Sequence, residues 1–211
     1  MLVCGSGVIG AGLLEQAESP LKAANISYAV FDRVVPNPSL ATVDEGTELY
    51  QSKECDGLIA LGGGSAMDTA KAIGVVAANG GSIRDYEWAD PQPIERRIPP
   101  TICIPTTAGS GSKVTLWAVV TDPERKVKFK VKFNVGGAPL IAAWVELIDP
   151  ELTFDLPADI TAGLLGPVME YNHLGEPQKI RPYRHGSGGG RPWTEASGGR
   201  PQFGGGDREL L

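Results

Sequence analysis

The sequence predicts an α/β fold built on a doubly wound, mostly parallel sheet. Through residue 104, short and continuously apolar segments alternate with helical patterns. Continuously apolar strands are typical of parallel sheets that helices cover on both faces. From Val114 onward the helical patterns stop and β-like segments follow, so we expect a β-rich extension after the parallel sheet.

Four strands of the sheet are predicted from the apolar segments, at residues 2–4, 27–31, 57–61 and 101–104. The extension should add β segments at 114–121 and 127–133. The second of these contains Lys-Val-Lys-Phe twice in succession, which fits either an amphipathic strand or a small tandem duplication.

Three helices are predicted between the strands, at residues 11–24, 39–53 and 65–78. Pro20 lies near the end of the first helix. Ser39 follows the stiff turn Pro36-Asn37-Pro38 and is a suitable N-cap for the second. Ser65 is the corresponding candidate for the third helix.

Composition limits the possible partners. The chain has 211 residues and a formal net charge of -6, and the clustered cations that nucleic acid requires are missing. Its three cysteines, Cys4, Cys55 and Cys103, are far apart and form no CxxC pair, which suits a reducing compartment. The apolar opening is too short for a signal peptide or a membrane span. We therefore expect a cytoplasmic protein with no nucleic-acid or membrane partner.

The end of the chain differs in composition from the rest. Residues 181–211 are rich in glycine, proline and arginine and contain no lysine. A segment with so little to bury cannot offset the entropy lost on ordering, so we expect a disordered tail. A shift of reading frame near residue 180 would account for the change. The predicted divisions are a domain at 1–163, a remnant segment at 164–179 and the tail at 180–211.

Two glycine-rich turns could bind the phosphates of a nucleotide. The first, Gly5-Ser6-Gly7-Val8-Ile9-Gly10, fits the GxGxxG pattern of Rossmann-like domains, and Asp32 follows at roughly the required spacing. The second runs through Gly62, Gly63 and Gly64 between a buried strand and a helix. Glycine lets the backbone lie against a ligand, and a helix N-terminus attracts an anion. A Gly-rich turn with a serine cap and no ligand is the alternative for the second turn.

Residues 62–71 resemble the signature GGGSxxDxAK of the iron-containing alcohol dehydrogenase family. Further blocks that resemble the family follow in order at 78–81, 83–86, 104–112, 121–126 and 148–157. The resemblance covers residues 8–163 and implies a Rossmann-like domain that binds NAD or NADP at the second glycine turn. The family usually has an aspartate where Gly5 stands, and this aspartate disfavours NADP, so the choice between the two dinucleotides stays open. Lys113 also departs from the family, which usually has glutamate there.

The resemblance implies a set of cofactor contacts. They are Asn37, Gly63, Gly64, Ser65, Asp68, Thr106, Thr107, Ser110 and a lysine after the Asp-Pro-Glu-Arg block, which is either Lys128 or Lys132. Without the resemblance, local roles would be favoured for each polar residue of this set: Asp68 would cap or pair locally, the threonines would satisfy backbone groups and the lysines would face solvent.

The family's metal site is not found in the sequence. Family members hold Fe(II) or Zn(II) with one aspartate and three histidines from a helical C-terminal domain. Here a segment resembling the start of the first ligand block, at 159–163, is followed directly by 164–172, which resembles a segment beyond the last ligand. His173 and His185 fit surface positions better than a metal pair. We therefore expect no metal-binding or catalytic residue.

The resemblance implies an oxidoreductase that transfers hydride between NAD(P) and an alcohol, aldehyde or ketone. We expect this chain to be a truncated form that is weakly active or inactive. The alternatives are a non-catalytic nucleotide-binding or interaction module, and a lyase of the dehydroquinate-synthase-like fold. Because loss of the family's helical domain would leave an apolar edge uncovered, we also expect self-association, around residues 144–165.

Overall fold

The computed structural model describes residues 1–87, 92–124, 131–136, 139–154 and 156, with the backbone alone described for 131–136. Within these ranges no helix is long and apolar enough to cross a membrane. The predicted divisions at 163 and 180 and the predicted disordered tail lie outside the described residues.

A parallel five-stranded sheet organises the chain, as predicted. Its strands are β1 (Leu2–Gly5), β2 (Val30–Val34), β3 (Leu58–Gly62), β4 (Thr101–Pro105) and the two-residue β7 (Val145–Glu146). They stand in the order β2-β1-β3-β4-β7, and every neighbouring pair is parallel.

Helices follow each of the first three strands. They are the short α1 (Ser6–Gly10), α2 (Leu13–Ala23), α3 (Leu40–Ser52) and α4 (Gly64–Asn79). Gly12 separates α1 from α2 with a left-handed backbone (φ 71°). The helix predicted at 11–24 corresponds to α2, and α1 lies before it, within the first glycine-rich turn. Short 3₁₀ turns at Ile83–Tyr86, Pro139–Ile141 and Pro150–Thr153 complete the described helical structure.

The core lies on both faces of the sheet, which confirms the doubly wound arrangement. Side chains alternate along a strand, and Leu2 and Cys4 belong to an apolar cluster with half-buried residues of α2. Val3 belongs instead to the larger cluster, which includes Val43 of α3 and Ile73 of α4. Helices α2 and α4 therefore cover opposite faces.

The second strand begins three residues later than predicted. After α2 the chain turns through Asn25, whose φ is 55°, and the Ile26 amide donates a hydrogen bond to the carbonyl oxygen of Leu21. These residues complete the helix end before the chain reaches the sheet, where Leu2 pairs with Val30. The apolar pattern alone did not reveal this turn.

The β-rich extension is an antiparallel hairpin of β5 (Trp117–Asp122) and β6 (Val131–Gly136). Strand β5 starts later than predicted because Val114 closes a turn onto the carbonyl oxygen of Gly111. The hairpin also contacts the turn before α3. The Thr121 amide donates to the carbonyl oxygen of Pro38 at 2.7 Å, and Thr121 forms an isolated parallel bridge with Ser39.

Candidate functional site

The sheet has a change of winding direction between β1 and β3. The chain leaves β1 towards β2 on one side, and it leaves β3 towards β4 on the other. In open α/β sheets, ligands bind at the carboxyl ends of the strands where this change occurs. Both glycine-rich turns lie at this position, since Gly5 ends β1 and Gly62 ends β3.

The glycines of the second turn are closely surrounded by neighbouring residues. Gly62 has φ 143°, a conformation that side chains rarely adopt, and an added Cβ there would lie 3.1 Å from the Cβ of Ala66. An added Cβ at Gly63 would lie 3.3 Å from Oγ1 of Thr107. An added Cβ at Gly64 would lie 3.0 Å from Oγ of Ser112. The turn is thus packed directly against the segment 106–112.

The first turn is more open. An added Cβ at Gly7 or Gly10 would meet nothing within 4 Å, so neither position is restricted to glycine by its neighbours. Gly5 is the exception, because its Cβ would lie 2.8 Å from the carbonyl oxygen of Val34 in the adjacent strand. Asp32, the acidic residue of the first pattern, is exposed in the middle of β2.

Segment 106–112 contacts the second turn through a backbone hydrogen bond and through the side chain of Thr107. The Thr106 amide donates to the carbonyl oxygen of Gly62 at 2.9 Å. Thr107 Oγ1 is shielded from solvent and has no hydrogen-bond partner among the described residues. Burying a hydroxyl group without a partner costs about 1–3 kcal/mol. A buried hydroxyl group without a partner is explained if a ligand or an ordered water supplies the missing hydrogen bond.

Asn37 and Ser65 are brought together although 28 positions separate them. The Asn37 amide donates to Oγ of Ser65 at 3.3 Å, and Asn37 itself has a left-handed backbone with φ 56°. Ser65 was predicted to cap α4, and this prediction is wrong. The N-cap is Gly63, which has no side chain, and Ser65 lies inside the first turn of the helix.

The remaining predicted residues fall into two groups. Asp68 lies on α4 one turn beyond Gly64 and is 7% exposed, while Ser110 is adjacent to Gly64 through its side chain. Both therefore lie beside the glycine turn. Lys128 lies outside the described residues, and only the backbone of Lys132 is described, as part of β6.

Lys71 is a site residue that the sequence reasoning missed. It lies on α4 and is fully buried. Its Nζ donates to the carbonyl oxygens of Ser112 and Thr115, each at 2.5 Å, and to that of Trp117 at 3.3 Å. Burial lowers the pKa of the Lys71 ammonium group, against the opposing influence of nearby acidic groups. The available signal was a single cation in the otherwise apolar helix segment 70–77.

No group of three or more histidine, cysteine, aspartate or glutamate residues could hold a metal ion within the part of the chain that the structure describes. The described residues therefore do not fit a resident Fe(II) or Zn(II), and we derive no chemistry through one. The glycine turn, the half-buried helix start and the buried Thr107 hydroxyl group fit the phosphates of a dinucleotide instead.

Comparisons of this chain with known proteins agree on one family. Residues 1–143 match the family model described as iron-containing alcohol dehydrogenase. A choline dehydrogenase of Bacillus subtilis is 53% identical over 163 residues, which are 77% of this chain and 39% of that protein. An NAD-dependent methanol dehydrogenase of Bacillus methanolicus is 41% identical over 71% of this chain and 38% of its own length.

A solved structure shares the fold. A sulfoacetaldehyde reductase from Bifidobacterium kashiwanohense, in complex with NAD+, superimposes with a TM-score of 0.63 at 32% identity. The match covers 77% of this chain and 41% of that one. The chain thus spans about two fifths of the length of the relatives that it matches.

Proposed function

The chain belongs to the iron-containing alcohol dehydrogenase family, and we propose that its glycine turn at Gly62–Gly64 binds the pyrophosphate of NAD or NADP. One observation carries this proposal: the turn lies at the change of winding direction and is followed directly by the N-terminus of α4. The first amides of a helix and its dipole attract an anion, and glycine lets the backbone approach it.

The neighbouring side chains have separate roles in this proposal. Thr107 supplies a hydroxyl group that has no partner among the described residues and can donate to the ligand. Ser65 holds the turn at Asn37 in place, and Asp68 supplies a carboxylate beside the turn. We place Thr106, Ser110 and either Lys128 or Lys132 on the adenosine and nicotinamide parts of the same ligand, from the resemblance to the family.

We propose that the dinucleotide-binding domain spans residues 1–163 and serves NAD(P)-linked hydride transfer between an alcohol and an aldehyde or ketone. The bound nicotinamide would supply the hydride chemistry. The residues of this chain would bind and orient it, which is the usual division of work between a protein and its cofactor. The family assignment favours this function over the lyase alternative.

Calorimetric titration of the full chain with NAD, NADH, NADP and NADPH tests the proposal. Saturable binding of at least one dinucleotide is the expected result, and ADP-ribose should compete for the same site. Absence of binding for all four would remove the proposed function. The relative affinities for NAD and NADP also show which dinucleotide the chain prefers. This preference is open because Gly5 stands where the family usually has an aspartate.

A second assay separates an active dehydrogenase from a chain that binds the dinucleotide without catalysis. The chain is mixed with a primary alcohol, the preferred dinucleotide and Fe(II) or Zn(II), and absorbance of the reduced nicotinamide is followed. Turnover that rises with metal and is lost with chelator supports the dehydrogenase. Binding without turnover supports either the inactive, truncated dehydrogenase or the non-catalytic module.

We also propose that the chain self-associates through its exposed apolar edge. Trp144, Leu147, Ile148 and Phe154 are each more than half exposed around the short strand β7. Apolar surfaces of this kind favour association. Light scattering should show a mass above that of the monomer, and Ile148→Asp should lower it. A monomer at all concentrations would contradict this proposal.

A further inference from the structure

Lys71 makes an unusual set of contacts for a lysine on a buried helix. Its Nζ donates to three backbone carbonyl oxygens, of Ser112, Thr115 and Trp117, and lies 3.4 Å from Oγ1 of Thr115. Lysine is rarely fully buried, because removing the ammonium group from water is costly unless its donors are satisfied. Here all three donors can be satisfied by one short segment of chain.

That segment is the continuation of the loop that packs on the glycine turn. Ser112 accepts a hydrogen bond from Lys71 through its carbonyl oxygen, while its Oγ lies beside Gly64. The same residue therefore joins the lysine to the glycine turn. The loop itself contains Gly109 and Gly111, both with positive φ, and its hydrogen-bonded turn closes only at Val114. A glycine-rich loop loses much entropy when it is ordered, so it depends on anchors at its ends.

The anchor and the ligand site share one helix. Lys71 lies two turns along α4 from Gly64, whose position at the start of the helix sets the proposed phosphate site. A rigid helix thus fixes the distance between the glycine turn and the ammonium group, and the ammonium group fixes the loop. Ordering the loop before the ligand arrives reduces the entropic cost of binding.

We propose that Lys71 is a positioning residue for the dinucleotide site, whose buried ammonium group holds segment 112–117 so that Ser110 and Ser112 cover Gly64. This inference rests on the proposed dinucleotide site. Lys71 itself does not contact the ligand. It raises the affinity for the dinucleotide by holding segment 112–117 in the position that binding requires.

The test compares dinucleotide affinity for the wild-type chain, Lys71→Met and Ile73→Ala. Methionine has a similar length and no donors, so segment 112–117 loses its anchor. If the loop is then correctly placed about a tenth of the time, the apparent Kd rises about tenfold. Ile73 lies on the same helix but points towards Gly46 of α3, so Ile73→Ala tests the effect of lost packing without a change at the loop. We expect Ile73→Ala to lower stability and leave Kd within about twofold of wild type.

Hydrogen exchange supplies a readout that a general loss of stability would not reproduce. Lys71→Met should speed exchange of amides in 110–117 while those of β1 and β3 stay protected, and saturating dinucleotide should restore the protection. Lys71→Gln removes the charge but keeps an amide group that can donate to these carbonyl oxygens, so it should produce a smaller change of the same kind. This variant keeps the test decisive if Lys71→Met does not fold.

The outcomes separate the two proposals. If the wild-type chain binds no dinucleotide, the proposed function and the role of Lys71 both fall. If the wild type binds and Lys71→Met binds equally well, only the role of Lys71 falls. The role of Lys71 would also be overturned if hydrogen exchange became faster throughout the chain and Lys71→Met and Ile73→Ala lost affinity equally.

Discussion

The amide nitrogen of Asn37 donates a hydrogen bond to Oγ of Ser65, 3.3 Å away. Asn37 has a left-handed backbone and lies between two prolines in the turn before α3. Ser65 lies in the first turn of α4, next to the glycines that we assign to the pyrophosphate. The hydrogen bond therefore fixes the turn before α3 relative to the N-terminus of α4, where we place the pyrophosphate.

The backbone of Asn37 gives a first prediction. Asn37→Ala should lower the free energy of unfolding by about 1 kcal/mol, because alanine tolerates a left-handed conformation less well than asparagine. Asn37→Gly removes the same side chain but adopts this conformation without strain, so it is the matched control. Chemical denaturation of both variants measures the difference. Equal stabilities would show that the backbone conformation at Asn37 contributes nothing.

The two glycine turns give a second prediction. Gly64→Val should weaken dinucleotide binding by at least tenfold, because a side chain there meets Ser110 and Ser112 and blocks the approach of a phosphate. Gly7→Val should have a much smaller effect, since its position is open. Calorimetric titration of both variants decides the matter. A larger loss for Gly7→Val would move the phosphate site to the first turn.

Thr107 provides a prediction in which dinucleotide binding is weakened without a loss of stability. Thr107→Val keeps the shape of the side chain and removes a buried hydroxyl group that has no described partner. The free energy of unfolding should therefore stay constant or rise by about 1 kcal/mol. Dinucleotide affinity should fall several-fold, because the proposed donor is lost. Unchanged affinity would remove Thr107 from the site.

The cysteines give a prediction about chemical reactivity. Burial raises the pKa of Cys4 and of Cys103 to about 11, so very little of either thiol is the reactive thiolate at pH 8. Cys55 is only partly buried. Iodoacetamide at pH 8 should thus modify Cys55 first, and all three cysteines once the chain is unfolded in guanidinium. Peptide mass spectrometry after short exposure checks this order, and early labelling of Cys103 would contradict it.

The parallel sheet, the β segments of the extension and the presence of a glycine turn after β3 were predictable from sequence, because each depends on local patterns of apolar residues and glycines. The antiparallel pairing of β5 with β6 was not predicted, and the choice between the two glycine turns came from the family resemblance. The role of Ser65 was not predictable from sequence, because a cap is defined by the residue at which the helix begins. Helix α4 begins one residue earlier than the apolar pattern indicated. Lys71 was also missed, since the carbonyl oxygens that surround it come from 41 to 46 positions away. Contacts of this kind appear only once the chain has folded.

The link between Thr121 and the turn at Pro38 has a consequence for the order in which the protein is made. A ribosome releases the chain from its N-terminus, and domains fold as their segments emerge. Strands β1 to β3 and helix α4 can come together early, but Pro38 and Ser39 gain their backbone partner only after β5 has left the exit tunnel. A nascent chain arrested before Thr121 should therefore carry a sheet whose ligand-facing turn is still unfinished. The site is therefore completed late, although its glycines are synthesised in the first third of the chain.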